Sequence, residues 1–229
     1  MSLVARSRER LERAGGGDAV ITAGDLLEEE VRRRAVEATL ERFGSIEVLV
    51  NNAGVGLYTP SWKAAEEDVR YMVELNLMVP MQMTRLAAPH MVERGSGMIV
   101  NVGSIAGKVT LPWMTVYSAS KYAIGSLTDG LRMELAGTGV KAMTVCPGYV
   151  RTGFHEHLIS GRVPESIQRS RKFAITPEQC AEALVRGVEK EKRTVMAPAV
   201  GWLLVGFARL FPSLVDWRLH RMYRSAGEW

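Results

Sequence analysis

The sequence predicts an α/β fold: a doubly wound parallel sheet between two helical layers, three layers in all. Three observations predict it. Short, almost uncharged apolar runs alternate with longer charged, amphipathic stretches, the pattern of repeated strand–helix–strand units. Glycine or proline closes most of the stretches, at Gly44, Gly95, Gly97 and Pro147-Gly148, where a helix or strand needs a stop. The polar departures from the apolar pattern, "NNAG", Gly103-Ser104 and "PGYVRT", directly follow apolar runs. In a parallel sheet that is the carboxyl edge, where ligands bind.

Taken in order, residues 2–5 read as a short buried strand and residues 6–13 as a charged helix. Residues 19–23, "AVITA", form a second strand. In residues 28–44, Val31, Ala35 and Ala38 recur at helical spacing between charges before the Phe43-Gly44 stop, which predicts an amphipathic helix. Residues 46–50, "IEVLV", are the third strand, broken by "NNAG". Residues 68–94 read as one long helical stretch interrupted at Pro80, since an interior proline costs a backbone hydrogen bond. "MIVNV" at 98–102 and "VKAMTV" at 140–145 are strands on either side of a helix over 115–135.

No Pro/Gly/Ser-rich linker divides the 229 residues, so one domain over 1–229 is expected. The net charge is +4 and the pI about 9.2, but the 29 Lys and Arg are interspersed with Glu along helices. That composition suits a solvated surface and excludes a clustered basic groove, so no nucleic-acid partner is expected. Cys146 and Cys180 have no metal-ligand spacing and are expected as reduced thiols in a cytoplasmic protein. Arg6, Arg8 and Arg10 stand where a signal peptide needs its apolar core. The one membrane-like stretch, "TVMAPAVGWLLVGFA" at 194–208, ends at Arg209 and is shorter than the roughly 20 apolar residues of a span. It reads as a strand followed by a buried or partner-facing helix, and membrane association is not expected. His155 and His157 alternate in "HEH" without a third ligand nearby, so no metal is expected. The polar segment 154–173 carries Arg162, Arg169 and Arg171 and identifies no substrate.

"YSASK" is the sharpest chemical feature. Tyr117 and Lys121 are four apart in a predicted helix and so share one face. An ammonium beside a phenol favours phenolate. Bringing a phenol from about 10 to near neutrality takes about 4 kcal/mol, and the product is an acid/base suited to an alcohol or carbonyl. Ser104 follows the strand before this helix, where a hydroxyl can hold a substrate oxygen. Asn76 sits inside a helical stretch, where asparagine is a poor former.

"NNAG", "LNL", "IVNVGSIAG", "YSASK" and "PGYVRT", in this order and at these spacings, resemble a short-chain dehydrogenase/reductase from residue 2 to about residue 196. The resemblance implies a Rossmann-like fold and an oxidoreductase moving hydride between a nicotinamide and a small-molecule carbonyl or alcohol. It implies Tyr117 as general acid/base and Lys121 as the group that lowers its pKa and binds the nicotinamide ribose. Ser104 would orient the substrate oxygen, and Asn76 would support a proton relay. Asn52, Ala53 and Gly54 would line the adenosine ribose, Asp25 and Leu26 the adenine. The loop with Pro147, Gly148, Val150 and Thr152 would contact the nicotinamide. Arg6 stands where NAD-preferring relatives carry an acid, and a guanidinium suits a 2′-phosphate. NADP is therefore expected over NAD. The helices over 68–94 and 115–135 imply a homodimer or homotetramer.

One hallmark is missing. The family opens with a strand, a glycine-rich turn and a helix whose amides hold pyrophosphate. The early "GGGD" at 15–18 follows a helix and precedes a strand, the reverse order. The sequence therefore reads as the fold missing its first βα unit, from a truncated gene or a mis-assigned start. In the strand order 3-2-1-4-5-6 that unit is central, so its loss is expected to leave two unpaired sheet edges. Two alternatives stay open here: a non-catalytic remnant acting as a binding or assembly subunit, and a membrane-surface protein using its apolar C-terminal segment.

Overall fold

The computed structural model describes residues 1–156, 158–161 and 174–224. The strands are β1 (Ser2–Ala5), β2 (Val20–Ala23), β3 (Val48–Asn51), β4 (Gly97–Val102), β5 (Val140–Pro147) and β6 (Thr194–Ala197). The helices are α1 (Arg8–Gly15), α2 (Glu29–Phe43), α3 (Glu66–Val73), α4 (Val79–Arg94), α5 (Thr115–Glu134), α6 (Pro177–Glu189), α7 (Gly201–Leu210) and α8 (Pro212–Arg224). Every strand pair is parallel. The arrangement is the expected Rossmann-like layered α/β fold.

Local chemistry explains the helix ends. Ser7 accepts from the Arg10 N–H at the start of α1, and Thr176 and Gln179 form a reciprocal capping box at α6, each satisfying donors a helix start leaves open. Gly44 and Gly95, both with positive φ, end α2 and α4 in the left-handed conformation that suits glycine. The long stretch expected over 68–94 differs in one respect. It begins at Glu66, and its interruption is a π-helical turn at Glu74–Met78 rather than a break at Pro80. Pro80 lies in the first turn of α4, where its missing N–H is tolerated.

Two faces cover the four-stranded sheet β3-β4-β5-β6. Ile99 and Ala142 point into a core with Val36 of α2 and Val79, Met83 and Ala87 of α4. Met98, Val100, Met143 and Val145 point the other way, against Ala183, Leu184 and Val188 of α6. Strand residues alternate between faces, so each layer takes every second side chain.

The sheet is not continuous. β1 pairs only with β2, and β3-β4-β5-β6 form a second sheet. The two are bridged on one face, where α2 packs beside α4 and buried Arg32 donates to the Gln82 side chain over 2.6 Å. β1 and β3 therefore present unpaired edges among the described residues, as the missing-unit reading expects. Val48 and Val50 register with Met98 and Val100 and so point to the α6 face. There they are 40% and 43% exposed, because α6 does not reach β3.

Candidate active site

The site is assembled where β4 ends. Gly103 gives way to Ser104, whose hydroxyl accepts from the Ala106 N–H over 3.1 Å and caps a short 3-10 turn at Ile105–Gly107. That turn lies directly on α5. A Cβ added at Gly107 would fall 2.4 Å from the Lys121 carbonyl oxygen, so only glycine permits the approach.

Tyr117 and Lys121 occupy the buried face of α5, 8% and 6% exposed. The Ser104 hydroxyl lies beside the Tyr117 phenol and acts to lower its pKa. The Lys121 Nζ donates to the Val102 carbonyl over 2.9 Å and lies 5.8 Å from the centre of the Tyr117 ring. Phe154 packs against the same ring, centroids 5.7 Å apart. Burial works against the lowering of the phenol's pKa that the resemblance implies for Lys121. It pushes Tyr117 up to about 12, opposed only by Ser104. Burial likewise pushes Lys121 down to about 8, partly offset by Cys146. Desolvation penalises whichever form is charged.

Asn76 is held by the π-helical turn, a feature that re-aims a side chain out of helical register. Its Oδ1 accepts from the Val55 N–H and its Nδ2 donates to the Val55 carbonyl, both over 2.9 Å. The Nδ2 also donates to Ser120 Oγ over 3.1 Å, and Ser120 Oγ donates to the Tyr117 carbonyl over 2.7 Å. Gly54 lies against this group: a Cβ there would meet Asn76 Oδ1 at 3.1 Å and Lys121 Nζ at 3.4 Å.

Gly54, Asn76, Ser104, Tyr117 and Lys121 are thus brought together. The other predicted residues are distributed along the carboxyl ends of the strands. Asn52 is exposed, and Ala53 packs against the α2–α4 core. Pro147 ends β5, and the Gly148 N–H donates to the Ala197 carbonyl over 2.7 Å. Val150 forms an isolated bridge with Ile175, and the Thr152 hydroxyl accepts from the Phe154 N–H over 3.3 Å. Arg6, Asp25 and Leu26 follow the strands of the separate two-stranded sheet. Arg6 is exposed, the Asp25 carboxylate accepts from the Leu27 N–H over 3.0 Å, and Leu26 packs on the α2–α4 core. No described hydrogen bond joins these three to Tyr117 or Lys121. His157 and residues 162–173 lie outside the described residues, and with them Arg162, Arg169 and Arg171.

Sequence reasoning missed Ser120, although it stands inside "YSASK". It also missed a buried amide chain: Asn51 Nδ2 donates to Asn101 Oδ1 over 2.8 Å, and Asn101 Nδ2 to Thr128 Oγ1 over 2.9 Å. The available signal was an asparagine in each apolar run, since a buried amide demands partners.

The family model described as short chain dehydrogenase matches residues 2–162. The ketoacyl reductase HetN of a Nostoc species is 32% identical over 94% of this chain and 74% of its own length. The human dehydrogenase/reductase SDR family member 7 is 29% identical over 92% of this chain and 63% of its own length. Among solved structures, a short-chain dehydrogenase/reductase from Burkholderia phymatum in complex with NAD has a TM-score of 0.81 at 26% identity, over 93% of this chain and 85% of that one. A short-chain dehydrogenase from Burkholderia cenocepacia in complex with NADP has a TM-score of 0.76 at 26% identity, over 94% and 84%. The motifs, the layered parallel sheet and these likenesses agree, and the chain belongs to the short-chain dehydrogenase family of nicotinamide-dependent oxidoreductases.

Proposed function

We propose that the chain transfers hydride between NADP(H) and a carbonyl/alcohol pair, with Tyr117 as the proton donor and acceptor. The observation that carries this reading is the burial of a phenol, a hydroxyl and an ammonium together at the carboxyl end of the sheet. The phenol is neutral throughout the physiological range, so it stands ready to donate to a carbonyl oxygen. Lys121 is cationic below about pH 8 and stabilises the phenolate left behind. The Ser104 hydroxyl holds the substrate oxygen next to the phenol. Asn76 fixes Val55 and, through Ser120, the backbone of Tyr117.

The residues on the nicotinamide side fit such a cofactor. The Lys121 ammonium has three donors and Val102 as its described backbone acceptor, which leaves donors for ribose hydroxyls. Gly54 offers bare backbone where any Cβ would crowd Asn76. Asn52, Ala53, Pro147, Gly148, Val150 and Thr152 line the same strand ends, and Arg6 would receive the 2′-phosphate. When bound, the nucleotide supplies or accepts the hydride. A cavity of about 330 Å³, walled by Pro60, Trp62, Pro112, Trp113 and Leu219, lies beside Thr115 at the start of α5. Asp216 and His220 line it as well, so it offers both apolar and polar contacts. Met81 on α4 and Tyr122 and Met133 on α5 are exposed, which supports pairing of these helices in a homodimer or homotetramer.

The test is Tyr117→Phe, assayed with NADPH and a panel of ketones and aldehydes. Turnover should fall by about 10²–10⁴ with little change in NADPH affinity, and near-normal turnover would overturn the assignment. Arg6→Asp should move preference toward NAD by roughly ten- to a hundredfold. Unchanged selectivity would show that Arg6 only faces water.

A further inference from the structure

The consecutive helices α7 and α8, joined through Phe211, have two faces, and only one is covered. Gly201 and Val205, with Ala208, form an inner stripe at helical spacing against Met196, Cys146 and Val109. A Cβ at Gly201 would lie 2.9 Å from Met196, so this contact is close and α7 cannot rotate freely. In α8, Val215 joins the same core and Leu219 the Tyr58–Tyr117 cluster. Both helices are thereby anchored by one side.

The outer side is apolar and open. Leu203 and Leu210 are 73% and 75% exposed, and Trp202, Phe207, Phe211 and Trp217 are each at least 43% exposed. Leu203, Phe207 and Leu210 recur at helical spacing on the side of α7 opposite Gly201 and Val205, and the Phe207 and Phe211 rings touch, centroids 5.2 Å apart, so these are not scattered single side chains. Monomeric soluble proteins rarely expose such a patch without a use.

Charge identifies what covers it. Arg209 stands in the last turn of α7, and Arg218 and Arg221 stand exposed on α8. Arg221 lies over the Trp217 ring, 5.6 Å from its centre, so a cation and an indole reach the same level at the rim. Among the described residues no carboxylate pairs with these three arginines. The one acid of α8, Asp216, lines the cavity beside Trp113 instead. A twofold contact between two copies would set this basic rim against itself, which like charges oppose. An anionic lipid surface satisfies both halves of the patch. Leucine and phenylalanine enter the acyl boundary, tryptophans sit at the headgroup level, and arginines meet phosphate. No described helix is long and apolar enough to cross a membrane, and none is needed for this mode.

We infer that the outer face of α7–α8 docks the protein onto anionic membrane surfaces, lying in the interface without spanning it. It takes up, for the outer face alone, the membrane-surface alternative that the sequence leaves open beside a buried or partner-facing helix. It does not depend on the catalytic reading.

The test is flotation. The full chain is synthesised in a cell-free reaction with vesicles of phosphatidylcholine alone or of equal parts phosphatidylcholine and phosphatidylglycerol, then centrifuged under a density gradient. Protein should rise with the anionic vesicles and much less with the neutral ones, and added salt should weaken the binding. Leu203→Glu and Leu210→Glu should each lower vesicle binding by about tenfold or more, since each withdraws a buried leucine and adds a repelled charge. Arg218→Glu with Arg221→Glu should abolish the preference for anionic lipid. Protein that stays at the bottom with both vesicle types, or rises equally with both, overturns the proposal. So does a Leu203→Glu variant that floats like the parent.

Discussion

The Asn76 amide closes a two-bond ring with the backbone of Val55, accepting its N–H and donating to its carbonyl, both over 2.9 Å. Two segments far apart in sequence, the turn after β3 and the π-helical turn before α4, are locked by one side chain. The same amide reaches Ser120 on α5, so the position of Tyr117 is coupled to the end of β3.

Asn76→Ala should destabilise the protein by about 2–4 kcal/mol. It leaves the Val55 N–H and carbonyl and the Ser120 hydroxyl without their partner in a buried setting, at about 1–3 kcal/mol for each group that finds no water. Urea unfolding midpoints check this. Asn76→Asp, which keeps the acceptor but loses the donors, should fall between parent and alanine variant. An Asn76→Ala midpoint equal to that of the parent would show that water replaces the clamp.

Stability should rise as pH increases from about 8 toward 10. The buried Lys121 has its pKa lowered to about 8 from an ordinary 10.5. Between these values the unfolded chain holds a proton that the folded chain has released, so unfolding stability grows with pH. The contribution is complete above the unfolded value and is lost as pH falls through about 8, on the order of 3 kcal/mol in all. Tyr117, raised to about 12 from 10.0, acts oppositely and lowers stability between those values. Melting temperatures of the parent and Lys121→Met across this range should converge at high pH and separate below pH 8, with the methionine variant the more stable.

Two glycines in and beside α5 should respond with opposite signs. Gly107→Ala drives a Cβ to 2.4 Å from the Lys121 carbonyl, a backbone contact that cannot yield. It should unsettle the Ser104 turn and cost about 1–3 kcal/mol. Gly130 sits inside α5 with nothing within 4 Å of its added Cβ. Gly130→Ala should stabilise by about 0.4–1 kcal/mol. Thermal unfolding of both variants decides the pair.

Residues 1–229 by themselves should self-associate and should bind NADPH weakly. β1 and β3 offer unpaired edges, and Val48 and Val50 are exposed beside one of them, the arrangement that invites edge pairing. No described helix start carries a glycine-rich turn after a strand to hold pyrophosphate. Two lost amide bonds to a charged group would weaken binding by about a hundredfold or more. Sedimentation velocity should show aggregates that Val48→Lys with Val50→Lys reduces, and NADPH should shift the melting temperature little. A version carrying an added N-terminal strand, glycine-rich turn and helix should show a clear shift. Micromolar NADPH binding by residues 1–229 alone would show that another segment holds the pyrophosphate.

The sequence by itself determined the order of strands and helices from β1 to β5, the shared face of Tyr117 and Lys121, and the break between β1 and β3. Each follows from local spacing or from the order of the motifs along the chain. The strand alternation, the four-residue step of a helix and the out-of-place "GGGD" need no tertiary information. Only the tertiary structure decided the rest. The π-helical turn at Glu74–Met78 arises because Asn76 finds Val55 and Ser120, neither of which lies near it in sequence. The direction of the Tyr117 shift depends on how deeply the phenol is buried and on where Lys121 spends its charge. A spacing of four cannot convey either. In the same way "GWLLVGFA" reads as apolar throughout, while only the packing of Gly201 and Val205 against Met196 and Cys146 reveals which side remains open. Periodicity fixes which residues share a face, but the neighbours that cover the face come from distant parts of the chain.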